Sequence, residues 1–80
     1  MTERLSKGYF QWRCRRGTKE LDVLLCRFLE ASYSDLSDDE LIDFKEFLEV
    51  QDTDLWSWLT SQETPKDKFN RHWVKRIIQA

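Results

Sequence analysis

Apolar residues recur every three or four positions along most of this chain, which is the spacing of one face of an amphipathic helix. No segment alternates between apolar and polar residues with the two-residue period of a β-strand. The spacing predicts five short helices, at about residues 4–16, 19–31, 38–50, 53–59 and from 65 onward. Because the breaks are brief and no internal repeat is present, we expect an all-α fold in which residues 1–80 form one small single-domain bundle.

The second predicted helix has the widest apolar surface of the five. Its main stripe consists of Leu21, Leu24, Leu25, Phe28 and Leu29. Val23 and Cys26 add apolar surface on another side of the same helix. A helix that is apolar nearly all round is covered by neighbours on several sides. We therefore expect this helix to lie at the centre of the bundle.

The third helix has the clearest start signal. Ser37 and Glu40 have the spacing of a capping box, in which each side chain bonds the other residue's backbone N–H. Leu36 and Leu41 flank that box at the positions of a hydrophobic staple. The apolar residues expected to be buried by this helix are Leu41, Phe44 and Leu48.

Other helix starts carry single capping residues. Thr2 or Ser6 is expected to cap the first helix, and Asp52 the fourth. Thr64 as cap, with Pro65 at the first helical position, predicts the start of the fifth. The apolar faces of the last two helices consist of Leu55, Trp58 and Leu59, and of Phe69, Trp73 and Ile77.

The apolar stripe changes phase at a basic turn between the first two helices. Before it, the stripe consists of Leu5, Tyr9 and Trp12. Gly17 can take the left-handed conformation that ends a helix, and Thr18 can then cap the next one. Helix punctuation alone would explain these residues, with Arg16 and Glu20 forming a surface ion pair worth about 0 to 1 kcal/mol. The alternative is a recognition site, with both side chains held outward on a rigid turn.

Aromatic residues are numerous for a domain of this size. The chain holds four Trp, two Tyr and five Phe residues among 80. A domain this small buries only about 60% of the surface that its unfolded chain exposes, so some rings are expected at an interface. Trp56 lies beside the apolar face of the fourth helix and is predicted to be partly exposed.

The net charge of −2 conceals a strong segregation along the chain. Residues 1–27 hold seven basic and three acidic residues, a balance of +4, and residues 64–80 are also at +4. Residues 28–63 hold one basic residue against eleven carboxylates, a balance of −10. Such asymmetry favours a molecule that presents different faces to a partner, and it disfavours a general nucleic-acid binder.

The sequence offers no arrangement of catalytic or metal-binding residues. Cys14, Cys26 and His72 lack metal-ligand spacing, and we expect both cysteines to be reduced packing residues. There is no nucleophile and base at recognisable spacing and no phosphate-cradling glycine run, so we expect a protein that is not an enzyme. No secretory signal or apolar run of membrane-spanning length is seen. We therefore expect a cytoplasmic location without membrane insertion.

The basic turn also carries a family motif. Residues 16–20 have the pattern Arg-Gly-x-x-Glu, within the run 12–22, and residues 36–40 and 52–59 follow as two further matching segments. Over about residues 9–60 the chain resembles the SdhE-type FAD assembly factors, called succinate dehydrogenase assembly factor 2 in eukaryotes. Three matching stretches in order are more specific than the five-residue motif alone. After residue 64 the chain resembles the family only in being helical.

The resemblance implies an all-α protein of about five helices that acts on another protein. Members of the family bind the flavoprotein subunit of succinate dehydrogenase, and in bacteria that of fumarate reductase, and promote covalent attachment of FAD to a histidine of that subunit. FAD would thus be carried by the client, with none bound tightly here, and the chain would act as a monomer. The residues expected to bind the partner are Arg16, Gly17, Glu20, Arg15, Trp12 and Tyr9.

Two other functions stay open at this point. The family has also been described as the antitoxin half of a toxin pair, which implies a regulatory protein-binding module. A small RNA-binding domain is the less favoured alternative, since basic residues beside stacking rings suit single-stranded nucleic acid. Its residues would be Arg4, Lys7, Arg13, Arg15, Arg16 and Lys19, with Tyr9, Phe10 and Trp12.

Overall fold

The computed structural model of the protein describes residues 5–79, and the regular secondary structure within that range is helical. Its five α-helices are α1 Lys7–Arg13, α2 Lys19–Ser32, α3 Asp38–Phe47, α4 Asp52–Leu59 and α5 Lys68–Gln79. A single 3-10 turn, Tyr33–Asp35, follows α2. No β-strand occurs among residues 5–79, so the prediction of an all-α bundle of about five short helices is confirmed.

Helix α2 is the central element, as the sequence predicts. It packs against α1, α4 and α5, while α5 also packs against α3 and α4. The buried side chains of α2 are Leu21, Leu25, Phe28 and Leu29. Val23, however, is 53% exposed. The expectation of neighbours on several sides is confirmed, although the neighbouring helices leave the strip of α2 that contains Val23 open.

The core is built around Trp73 of α5. The centroid of its ring lies 6.1 Å from that of Phe28, 5.3 Å from that of Phe44 and 6.5 Å from that of Phe47. Phe44 in turn stacks on Phe10 of α1 at 5.3 Å. Rings of four helices thus meet in one cluster, which fixes α5 as part of the core.

Helix α1 presents a different face from the predicted one. Phe10 is fully buried, whereas Trp12 is 71% exposed and Tyr9 is half-buried. The prediction that α1 buries the stripe through Tyr9 and Trp12 is therefore wrong. Phe10 and Cys14 also have helical spacing, and it is this pair that faces the core. The helix has only seven residues, too few for periodicity alone to decide between the two faces.

The helix starts agree with the sequence at two positions. Ser6 caps α1 by accepting a hydrogen bond from the Tyr9 N–H at 3.1 Å, whereas Thr2 lies outside the described residues. At α3 the capping box is confirmed. Ser37 Oγ accepts from the Glu40 N–H at 3.1 Å, and Glu40 accepts from the Ser37 N–H at 3.0 Å.

Three other predicted caps need correction. Thr18 precedes α2, but its side chain makes no capping hydrogen bond. Asp52 is the first residue of α4, preceded by Gln51 as cap, because its carboxylate is engaged elsewhere. Helix α5 begins at Lys68 and not at residue 65, since Asp67 supplies the capping carboxylate, 3.0 Å from the Asn70 N–H.

The remaining aromatic and membrane predictions have simple outcomes. Trp56 is partly exposed, as expected, and Trp58 is also only half-buried. Within residues 5–79 no helix has both the length and the apolar character that crossing a membrane requires.

Candidate functional site

The turn between α1 and α2 contains the Arg-Gly-x-x-Glu motif. Helix α1 ends at Arg13, earlier than predicted, so residues 14–18 form the connection. Gly17 has φ +92°, a value that side chains with a Cβ atom rarely adopt. A Cβ atom at Gly17 would meet no atom within 4 Å. The glycine is therefore required by the backbone conformation and not by crowding.

The Arg16 side chain donates hydrogen bonds to the segment between α3 and α4. Its Nε donates to Asp52 Oδ1 at 2.7 Å. Nη1 donates to the Leu48 carbonyl at 2.7 Å, and Nη2 donates to the Val50 carbonyl at 2.8 Å. A longer bond of 3.4 Å joins Nη1 to the Arg13 carbonyl. Only 15% of the side chain is exposed.

Electrostatics favour the Arg16 guanidinium at this place between α3 and α4. Leu48 is the C-cap of α3, where the last carbonyls lack helical partners and the helix dipole favours a cation. Asp52 stands in the first turn of α4, where the dipole favours an acid. The expectation that Arg16 projects outward is therefore wrong. Its ion-pair partner is Asp52 rather than Glu20.

A second carboxylate holds the backbone of the same residue. Asp22 Oδ1, in the first turn of α2, accepts a hydrogen bond from the Arg16 N–H. The sequence pattern indicated no individual role for Asp22, and Asp52 was predicted to be a helix cap within the matching segment 52–59. Asp22 belongs to the matched run 12–22, but only the folded chain brings Asp52 to Arg16.

An open groove lies beside the turn. We call it the Trp12 groove; it has a volume of about 530 Å³ and is lined by Trp12, Arg13, Arg15, Arg16, Leu48, Glu49 and Asp52. Arg13 is paired there with Glu49 at 2.9 Å. Trp12 and Arg15 are both exposed, so they give the groove an accessible ring and an accessible cation. Both groups suit protein recognition.

Glu20 lies in a second groove, which shares no lining residue with the Trp12 groove. This Glu20 groove measures about 500 Å³, and its lining is Lys19, Glu20, Val23, Leu24, Trp56 and Thr60. Glu20 itself is exposed at the start of α2. Its carboxylate is accessible to a partner, as the sequence predicts.

The six predicted partner-binding residues therefore fall into four groups. Trp12, Arg15 and Arg16 line one groove, and Glu20 lines the other. Gly17 is exposed in the turn. Tyr9 lines neither groove and packs edge-on against Phe10, with ring centroids 5.2 Å apart.

The two cysteines are free thiols with packing roles. Cys14 caps the end of α1 and is fully buried, while Cys26 is half-buried. Burial, reinforced by the nearby Cys26, raises the pKa of the Cys14 thiol from 9.0 to about 12. Such a thiol stays protonated at neutral pH and is a poor nucleophile. Among residues 5–79, no three His, Cys, Asp or Glu side chains are grouped so as to hold a metal ion.

Comparison with known proteins identifies the family of this chain. Residues 10–80 match the family model Sdh5, described as the flavinator of succinate dehydrogenase. A FAD assembly factor SdhE from Serratia sp. is 39% identical over 72 residues, covering 90% of this chain and 82% of that protein. Another from Coxiella burnetii is 35% identical over 79 residues, covering 99% and 96%. The chain therefore belongs to the Sdh5 family of succinate dehydrogenase flavinators.

Proposed function

We propose that this protein is an assembly factor that binds the flavoprotein subunit of succinate dehydrogenase and promotes covalent attachment of FAD to it. The names of the family and of its relatives support this function. The observation that carries it is the turn at residues 14–18. This turn is fixed from within by Arg16, while Arg15 in the turn and Trp12 and Glu20 beside it are exposed.

The chain's contribution in this proposal is positioning. Covalent attachment requires the flavin ring and the client's histidine to be aligned while charge develops on the ring, and alignment contributes several kcal/mol. The client supplies the reacting groups and carries the FAD. Glu20 makes charge-assisted hydrogen bonds to the client, and Gly17 permits close approach of the backbone. Trp12 and Arg15 extend the contact.

Three finer features belong to the same proposal. We propose that the protein acts as a monomer, that it works in the cytoplasm, and that the flavoprotein subunit of fumarate reductase is a second client. No step of the chemistry is assigned to a residue of this chain, in keeping with a role as assembly factor rather than enzyme.

The ion pairs of the basic region disfavour the RNA-binding alternative. Lys7 pairs with Glu30 at 2.7 Å, Arg13 with Glu49 at 2.9 Å and Arg16 with Asp52 at 2.7 Å. Each pair neutralises a cation that phosphate binding would need. Arg4 lies outside the described residues. Of the other cations named for this alternative, Arg15 and Lys19 are left exposed, a small set for an electrostatic footprint.

The proposal is tested by reconstitution with a matched control. Apo-flavoprotein subunit and FAD are incubated with wild-type protein, Glu20→Ala or Glu46→Ala, and covalent flavin is measured by fluorescence after denaturing electrophoresis. Because Glu20→Ala loses a charge-assisted contact, we expect it to stimulate covalent flavin attachment about tenfold less than wild type, or weaker still. Glu46, exposed on α3 and remote in sequence from the motif, should be replaceable without loss.

Each negative result has its own meaning. A wild-type protein that leaves the rate of flavin attachment unchanged contradicts the function itself. Equal activity of Glu20→Ala and wild type removes Glu20 from the docking surface. A parallel reaction with the fumarate reductase subunit decides whether that protein is also a client.

A further inference from the structure

We infer that Asp52 is a positioning residue of the docking site, acting through Arg16 from a helix outside the motif. The inference rests on the proposed function and extends it to a residue that lies 36 positions along the chain from Arg16. In this inference Arg16 supports the turn from inside, and its exposed neighbours contact the client.

The donors of Arg16 are almost all occupied within the molecule. A guanidinium has five N–H donors. Four are directed at Asp52, Leu48, Val50 and Arg13. At most one is left for a partner, so a bidentate bond from Arg16 to a client carboxylate requires breaking an internal bond. The arginine of the motif therefore stabilises the conformation of the turn.

The two ends of Arg16 are anchored by different carboxylates. Asp22 of α2 accepts from its backbone N–H, and Asp52 of α4 accepts from its side chain. Gly17 follows directly and holds its positive φ. Because both anchors are acidic residues in the first turn of a helix, the helix dipoles favour their charge at these places. The turn is thus fixed from two helices at once.

Asp52 is the more informative anchor to test. It contacts Arg16 across the tertiary fold, whereas Asp22 lies in the same local segment as the turn. It also lines the Trp12 groove together with Arg16. Its removal deletes the ion pair and the acceptor of Arg16 Nε, and it leaves the Gly17 backbone, Trp12 and Glu20 chemically unchanged.

The chain offers a matched control for the loss of an ion pair. Glu40 and Arg76 are paired at 2.9 Å, and the side chains are 40% and 30% exposed. Asp52 and Arg16 are paired at 2.7 Å, with exposures of 44% and 15%. Glu40→Gln removes the charge from the first pair while Gln still suits the capping box. Asp52→Asn removes the charge from the second in the same way.

The experiment measures covalent flavin formation at increasing concentrations of wild-type protein, Asp52→Ala, Asp52→Asn and Glu40→Gln. We expect the half-saturating concentration to rise about tenfold for Asp52→Ala, as for a lost charge-assisted hydrogen bond, and less for Asp52→Asn, whose amide oxygen still accepts from Nε. The maximal rate should stay at the wild-type value, because the contacting groups are intact. Glu40→Gln should behave as wild type in both quantities.

Amide hydrogen exchange in the free protein gives a second readout that needs no client. The Arg16 N–H should exchange faster in Asp52→Ala than in wild type, while the amides of α5 exchange as before. A folded Asp52→Asn protein keeps the test valid if Asp52→Ala fails to fold.

The outcomes separate the inference from the proposed function. Wild-type stimulation with an unchanged half-saturating concentration in both Asp52 variants overturns the inference alone. An equal rise for Glu40→Gln also overturns it, because the effect then follows general stability. A wild-type protein without any stimulation overturns the proposed function, and the inference falls with it.

Discussion

Cys14 is a titratable side chain sealed into the core, and its environment predicts how stability depends on pH. Burial raises its pKa from 9.0 to about 12 in the folded state. Between these values the unfolded chain releases the thiol proton and the folded chain keeps it. The free energy of unfolding should therefore fall as pH rises above about 9, by up to about 1.4 kcal/mol per pH unit for this one group.

Urea denaturation at several pH values between 8 and about 10.5 measures this slope. Cys14→Ala also lowers stability by leaving a cavity, so the comparison is between slopes and not between absolute values. The variant should show the shallower decline. Identical slopes in the two proteins would assign the alkaline loss to other groups.

At the scale of single helices, capping residues that look alike in sequence differ in the structure. Ser37 accepts a hydrogen bond from the Glu40 N–H, whereas the Thr18 side chain makes no capping bond. Ser37→Ala should therefore lower the free energy of unfolding by about 1 kcal/mol. Thr18→Ala should change it by less than about 0.5 kcal/mol. Urea denaturation of both variants at neutral pH provides the comparison, and equal losses would contradict it.

The same scale shows how far the sequence specifies the elements. The start of α3 was predictable because Ser37, Glu40 and Leu41 act within one turn of helix. The buried face of α1 was not, because Phe10 is chosen by its stacking on Phe44 from another helix. The motif located the turn and the exposed Glu20. The acceptors of Arg16 stayed hidden, because they depend on where α3 and α4 meet.

At the scale of the whole molecule, α5 is the element that closes the core. Its residues Trp73, Val74 and Ile77 are buried. Trp73→Ala should cost about 3 to 5 kcal/mol. That is comparable to the whole stability expected of a domain this small, about 3 to 5 kcal/mol.

We therefore expect Trp73→Ala to be largely unfolded at 25 °C, with most of the helical far-ultraviolet circular dichroism lost. Ile78→Ala, five residues along the same helix and 44% exposed in the native protein, is the control and should remain folded. A Trp73→Ala protein with native helix content would show that the aromatic cluster is not what holds α5.

The long sequence separation of the Arg16 bonds has a consequence for the order of folding. The acceptors Leu48, Val50 and Asp52 lie 32 to 36 residues after Arg16. A growing chain can form α1 and α2 before these acceptors have been synthesised. The loop between Arg16 and its acceptors must then close before the hydrogen bonds can form. The turn thus acquires its final shape only after α3 and the start of α4 have joined α1 and α2. We expect a client that recognises this shape to bind only chains in which the Arg16 bonds have formed. Folding of the assembly factor therefore precedes its binding to the client.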